Sequence, residues 1–417
     1  MPARRTVTMT EAQPVSLSEY GETKISLTFA QERQLRTLVE HRLTIVPDVG
    51  VDRWTIKATS YVGTVVLPDL KILVTPKVTT ANLFHLLEAG GRALDIGAEQ
   101  FEYDSSKDLL PAFATFYVRH LERALGLGIP RAYVEFDDRL NNIRGRVDLP
   151  AQRRSAGLPL PISCRFDEYT ADIPLNRILR AAATRLRRVA GVTITTRQAL
   201  VGLLARLSEV GALRGPDLSA PVVFTRLNQH CRPAERLARM VLDGSTLRDA
   251  PGASGAGVFM VDMNQLFEEF VESRLRWYLR DRLIVHGQLS TRLDVGGAVG
   301  IRPDLAFSGP SGPMVYVGDV KYKVTTDGYA RDRDYYQLLA YVTAMNLDEG
   351  LLGYCQDDGD PPPREIEVRH AGKRLRTWAI RLDGSPQDVE TEMRRLADHI
   401  ADRVRATAQP AVLRAAG

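Results

Sequence analysis

A chain of 417 residues, 44% hydrophobic and 25% charged, has the composition of a soluble globular protein and enough length for two or three domains. Its formal net charge of +4 is too small to argue for nucleic-acid binding by itself. The widely spaced Cys164, Cys231 and Cys355 exclude a disulfide framework and a CxxC zinc site, and they suit a reducing, cytoplasmic compartment. No run is long and apolar enough to span a membrane, and no apolar core follows Met1-Pro-Ala-Arg-Arg5, so no secretory signal is expected.

Residues 1–15 are expected to form a disordered lead. Residues 16–80 read as short strands, with a helix over 31–41. The segment Tyr61-Val-Gly-Thr-Val-Val-Leu-Pro-Asp-Leu-Lys-Ile-Leu-Val-Thr-Pro-Lys77 holds two β-rich runs around Pro68-Asp69, which predicts a hairpin. Helices follow over 81–89 and 109–125, the latter with Phe113, Phe116, Tyr117, Leu121 and Leu125 at helical spacing. Residues 131–170 return to strand and loop. Pro174 opens a helix over 176–189, and further helices are expected over 196–210 and 225–242. The Gly/Ala/Ser-rich stretch 249–257 marks a domain boundary near residue 250. It separates an α+β region of hairpins and helices, 16–250, from 258–417. The first of these is divisible into 16–130 and 131–250.

Beyond the boundary, Met263, Leu266, Phe267, Phe270, Val271, Leu275 and Leu279 form one apolar stripe on a helix over 263–283. His286 is read as a helix-end residue. Strands are expected at 291–295, 300–307 and 314–323, a helix at 333–345, and a buried strand at 350–355. A loop with Pro361-Pro-Pro363, a strand at 376–381 and a helix at 387–407 complete the chain. Helix, antiparallel strands, helix and strand make an α/β module with a mixed sheet.

The chemistry concentrates in Ile301-Arg-Pro-Asp-Leu-Ala-Phe307 and Met314-Val-Tyr-Val-Gly-Asp-Val-Lys-Tyr-Lys323. In a strand, Asp319 and Lys321 face one side and Val320 and Tyr322 the other. A hairpin pairing of the two segments brings Asp304 close to Asp319, at the wall of a water-filled cleft. Two carboxylates that close are costly without a cation between them. Oxygen ligands without His or Cys select Mg²⁺, with Mn²⁺ able to substitute. Such a metal activates water and neutralises a phosphate, and Lys321 stabilises the charge that develops.

This arrangement resembles the PD-(D/E)xK nuclease superfamily, and the resemblance implies that residues 258–417 form a restriction-endonuclease-like domain. Members place a Glu on the preceding helix, here within Phe267-Glu-Glu-Phe270. Helical geometry does not choose between Glu268 and Glu269; Glu268 is taken as the third metal ligand. Gln337 and Tyr341, four apart on one helix face, resemble the QxxxY pair that supports the active site and DNA in RecB-like and Cas4-like members.

The phrases Met263-Asn-Gln-Leu-Phe-Glu-Glu-Phe-Val271, Leu140-Asn-Asn-Ile-Arg-Gly-Arg146 and Cys164-Arg-Phe-Asp-Glu-Tyr-Thr-Ala-Asp-Ile-Pro-Leu-Asn-Arg177 narrow this to a resemblance to the McrC family, as do Tyr61-Val-Gly63 and Pro76-Lys77. That resemblance implies the nuclease subunit of a McrBC-type restriction system acting on modified-cytosine or phage DNA. It also implies a partner, a McrB-like AAA+ GTPase hexamer whose hydrolysis the subunit stimulates. No GxxxxGK[ST] occurs in the chain, so it carries no P-loop of its own. Residues 16–250 are expected to dock on the partner, with Arg144 and Arg146 flanking a glycine that allows close approach. The competing readings are a stand-alone repair or defence nuclease and a non-cleaving adaptor that activates an NTPase.

Overall fold

The computed structural model describes residues 14–50, 52–67, 69–88, 109–154, 160–189, 191–244, 257–310, 312–322, 332–356 and 364–414. Residues 1–13 of the expected lead, nearly all of the stretch 249–257 and the prolines 361–363 lie outside them. Val15 already belongs to a strand.

The first segment builds two small sheets. Its elements are β1 (Val15–Ser18), β2 (Glu22–Ser26), α1 (Phe29–Val39), β3 (Leu43–Pro47), β4 (Arg53–Ala58), β5 (Tyr61–Leu67), β6 (Leu70–Thr75) and α2 (Thr80–Glu88). Thr28 starts α1 through a capping box with Gln31. The pair β5–β6 is the expected hairpin, with Leu67 opposite Leu70.

Residues 108–246 form a compact unit of their own. It comprises α3 (Leu109–Gly126), β7 (Ala132–Leu140), β8 (Arg146–Val147), α4 (Leu149–Arg154), β9 (Ile162–Thr170), α5 (Pro174–Arg187), α6 (Ile194–Arg206), α7 (Gly215–Ser219) and α8 (Arg232–Gly244). Phe113, Phe116, Tyr117, Leu121 and Leu125 of α3 are all buried. Tyr117 Oη donates to Leu179 O at 2.8 Å, which satisfies the one polar atom of that core face. Two residues of the Asp172–Arg177 phrase are structural. Asn176 Nδ2 reaches Pro130 O and Ala171 O, both at 2.7 Å. Arg177 is bidentate to Asp217 at 3.0 and 3.2 Å. The expected helix over 225–242 begins only at Arg232, because Asn228 Oδ1 accepts from Thr225 N–H at 2.6 Å and closes a turn first.

The chain then returns through β10 (Gly257–Asp262), α9 (Met263–Tyr278), β11 (Ile284–Gly287), β12 (Thr291–Arg292), β13 (Gly300–Ile301), β14 (Leu305–Ser308), β15 (Met314–Lys321), α10 (Asp332–Ala344), β16 (Glu349–Gln356), β17 (Glu365–Val368), β18 (Lys373–Arg381) and α11 (Pro386–Arg414). A six-stranded mixed sheet runs β11-β14-β15-β16-β18-β17, with β15, β16 and β18 parallel. The helix α9 ends earlier than its apolar stripe suggests, so His286 is not a helix-end residue. It stands on β11, its Nε2 2.9 Å from Ser308 Oγ. The expected strand 300–307 is split: Pro303, which has no N–H to give a ladder, and its neighbours separate β13 from β14.

The division into units differs from a single break near residue 250. Residues 1–107 and 247–417 make one compact unit. The physical reason is β10, which joins β5 antiparallel in the order β1-β6-β5-β10. Val258 and Met260 of β10 share one buried cluster with Leu17, Leu35, Ile56, Val65 and Ile72. Gly63 permits the pairing. Its φ is +141°, and a Cβ there would stand 2.1 Å from Phe259 O.

Candidate active site

Three elements converge on the candidate site. Asp319 and Lys321 lie on the central strand β15, and Asp304 immediately precedes β14. Leu305 pairs with Gly318, so the step before Leu305 lies beside Asp319. Val320 N–H donates to Asp304 Oδ2 at 2.9 Å and fixes that carboxylate. Lys321 Nζ stands between the two acids, 2.7 Å from Asp319 Oδ2 and 3.3 Å from Asp304 Oδ2.

Asp319 is wholly buried, and the Asp304 and Lys321 side chains are 15% and 19% exposed. Burial therefore sets the chemistry of Asp319, while Asp304 and Lys321 stay partly open to solvent. Burial, reinforced by the charge of Asp304 and only partly offset by Lys321, pushes Asp319 up to about 8. Burial opposes the charge on Lys321, but Asp319 and Asp304 outweigh it and hold the lysine above its ordinary value.

The helix α9 brings Glu268 to the same place. Burial, then the charge of Asp304, raises it to about 7, with Lys321 pulling the other way. Glu269 accepts a hydrogen bond from Gln265 on an exposed face, at 2.9 Å. Glu268 is thus the glutamate that feels the two site residues. Asp262 sets the start of this helix: its Oδ1 accepts from Asn264 N–H and from Ser60 Oγ, both at 3.0 Å.

On α10, Gln337 Nε2 donates to Tyr341 Oη at 2.5 Å, and Tyr341 Oη donates to Arg302 O at 3.1 Å. The QxxxY pair therefore holds the backbone two residues before Asp304.

The donor set suits a hard divalent cation. Neither oxygen of Asp319 has a hydrogen-bond donor in good geometry among the described residues, although the Lys321 ammonium is an ionic neighbour. Among the described residues no three His, Cys, Asp or Glu side chains converge into a metal cage. Two carboxylates with water completing the shell fit magnesium, which keeps several waters.

Sequence reading missed Glu19. It is 1% exposed, follows β1, and accepts from Tyr322 Oη at 3.0 Å, one residue beyond Lys321. Burial pushes Glu19 from 4.5 to about 7, against the lowering effect of Lys77 N–H. Between those values the folded protein holds a proton that the unfolded chain releases, so stability present below 4.5 is lost as pH rises through about 7. Glu19→Gln should flatten that slope and stabilise the protein at about pH 8, by up to roughly 3 kcal/mol. Urea melts at two pH values measure it; a variant less stable than the parent at about pH 8 would refute the assignment.

Arg144 and Arg146 belong to the other unit. Arg144 pairs with Glu168 at 3.0 Å and lies over the Phe166 ring at 4.2 Å. The glycine between them is required by an internal contact. Gly145 has φ +67°, and a Cβ there would meet Arg165 O at 2.4 Å. Arg146 pairs in β8 with Arg165 of β9, and both arginines remain exposed.

The family model for McrBC 5-methylcytosine restriction system components matches residues 56–355. The chain belongs to that family. Among solved structures, the refined half-complex from a tetradecameric assembly of Thermococcus gammatolerans McrB AAA+ hexamers with bound McrC is 19% identical, at a TM-score of 0.55 over 93% of this chain and 100% of that one. The cryo-EM structure of the Thermococcus gammatolerans McrBC complex is 22% identical, with a TM-score of 0.40 over 64% of this chain and 88% of that one. The first likeness is one of fold. No curated protein matches the chain. Among the described residues no helix is long and apolar enough to cross a membrane.

Proposed function

We propose that this McrBC-family chain is a magnesium-dependent DNA endonuclease subunit. In this reading it cleaves modified-cytosine or phage DNA in the cytoplasm, together with a McrB-like AAA+ GTPase whose hydrolysis it stimulates. The observation that carries the reading is the pair Asp319, on β15, and Asp304, just before the neighbouring strand β14, around Lys321, with Glu268 beside them.

Asp319 and Asp304 would hold the metal, with Glu268 available to bind it or its water. A bound magnesium supplies neutralising charge and an activated water. Lys321, held between the two carboxylates, would hydrogen-bond a phosphate oxygen through its ammonium. Gln337 and Tyr341 hold the Asp304 segment in register. The enclosed site strengthens each of these charge interactions.

Partner docking belongs to residues 16–250, and within them to the arm β7-β9-β8. Strand β7 is exposed along most of its length, and Tyr133 of β7 and Tyr169 of β9 are 75% and 56% exposed. Arg144 and Arg146 on this arm would meet a carboxylate or a nucleotide phosphate of the partner.

The test combines the chain with a McrB-type GTPase, GTP and methylated plasmid. Cleavage should stop on chelation and return with Mg²⁺ or Mn²⁺. Arg144→Ala should lower the stimulated GTP hydrolysis. Cleavage restored by Zn²⁺ and not by Mg²⁺ would show the donor set misread.

A further inference from the structure

The short hairpin leading into Asp304 is not needed to assemble the acidic group, yet it is closely built. Thr291 pairs with Ile301 and Arg292 with Gly300. Asp294 closes the tip, accepting from Ala298 N–H at 3.0 Å and Val299 N–H at 2.7 Å. The Arg292 guanidinium lies over Gly300, 3.3 Å from where a Cβ would stand. Arg292 and its cross-strand partner Gly300 share one side of the hairpin, and Arg302 follows immediately beyond β13.

Arg302 is held from two directions. Its Nη2 donates to Gln288 Oε1 at 2.5 Å and its Nε to Gln288 O at 3.3 Å. Its carbonyl accepts from Tyr341 Oη at 3.1 Å. Both guanidiniums are exposed. Among the described residues neither pairs with a carboxylate, and Asp294 is committed to backbone N–H groups. Several other arginines of the same unit are paired, Arg276 with Glu272, Arg282 with Asp398 and Arg403 with Glu349; what sets Arg292 and Arg302 apart is their place on the hairpin that leads into Asp304. Two exposed guanidiniums on that hairpin, neither paired with a carboxylate among the described residues, have their charge available for an anion. A guanidinium matches phosphate oxygens in bidentate fashion.

We propose that Arg292 and Arg302 form a phosphate-binding face that takes the backbone of the DNA strand entering the site. This rests on the nuclease reading above. Arg302 then has a double task. It grips a phosphate while Tyr341 fixes its carbonyl, so the grip is carried rigidly to Asp304 two residues on.

The test is binding of a fluorescein-labelled DNA duplex by the full chain, followed by anisotropy across a salt series. Ca²⁺ replaces Mg²⁺ so that the duplex stays intact. Each phosphate contact contributes roughly 0.9 to the slope of log affinity against log salt. Arg292→Ala and Arg302→Ala should each reduce that slope by about 1, and the double variant by about 2. Arg302→Lys should keep the slope while weakening binding, because a point charge replaces a fork. Arg405→Ala, which removes an arginine already paired with Asp402 at 3.0 Å, should leave the slope unchanged. A double variant with the parental slope overturns the proposal and leaves the nuclease reading standing. A parent chain that binds no duplex at all overturns both.

Discussion

Asp304→Ala, Asp319→Asn and Lys321→Ala are each expected to cut DNA cleavage by the reconstituted complex by on the order of 10²–10³-fold or more, the scale seen when one preorganised charge-stabilising group is removed. They should differ sharply in stability. Asp319 is wholly buried and its charge is offset by Lys321. Lys321→Ala leaves Asp319 beside Asp304 with no cation and drives it to hold a proton, so the stability lost by this variant should grow as pH rises above about 8. Asp319→Asn keeps the neutral form that burial already favours and should cost little or even stabilise the chain. Mg²⁺ should restore much of the stability lost in Lys321→Ala, because a cation replaces the missing ammonium between the carboxylates. It should not stabilise Asp304→Ala or Asp319→Asn beyond the parent. Denaturant melts with and without Mg²⁺ read this independently of cleavage. A Lys321→Ala chain as stable as the parent, and indifferent to Mg²⁺, would show that the three residues do not share one electrostatic site.

Much of this site was legible in the sequence because its parts are local. The i, i+2 rule put Asp319 and Lys321 on one face. A short turn dictated the hairpin register, and the four-residue spacing of Gln337 and Tyr341 put them on one helix face. The choice between Glu268 and Glu269 was not legible, since both border the apolar stripe. It takes the position of Asp304 and Lys321 to distinguish them. Glu19 and Arg302 escaped notice for a related reason. A glutamate near the N-terminus carries no mark of its contact with Tyr322, hundreds of positions later. The arginine of Arg-Pro-Asp gains meaning only from what does and does not pair with it.

The larger gap concerns how the chain is divided. Helices such as α3 and α9 announce themselves by period. Pairing between β5 and β10, across the whole of residues 108–246, leaves no local trace. The run Gly257–Asp262 merges by composition into the helix that follows it. A Gly/Ala/Ser-rich stretch near residue 250 signals a junction, and it does border the inserted unit. It does not reveal that the chain on its far side returns to the sheet it left.

Cutting the chain at residue 250 should therefore leave an N-terminal fragment in which residues 1–107 do not fold. Fragment 1–250 loses β10, the edge partner of β5, through the whole register from Tyr61–Asp262 to Val66–Gly257. It also loses Val258 and Met260 from the cluster around Leu35, Ile56 and Ile72. Removing two buried side chains alone costs several kcal/mol, at about 2–5 kcal/mol for a Met and less for a Val, and the unpaired β5 adds a sticky edge. Against a typical domain stability of about 5–15 kcal/mol, residues 1–107 should be unfolded or aggregated in that fragment. A chain of residues 108–246 keeps its own helical core, with Tyr117, Leu179 and the Arg177–Asp217 pair all inside it. It should be soluble and melt cooperatively. Proteolysis and amide exchange on the two fragments separate these outcomes. Protection of β5 in fragment 1–250 equal to that in the full chain would mean that β10 is dispensable, and that the break near residue 250 is the true division after all.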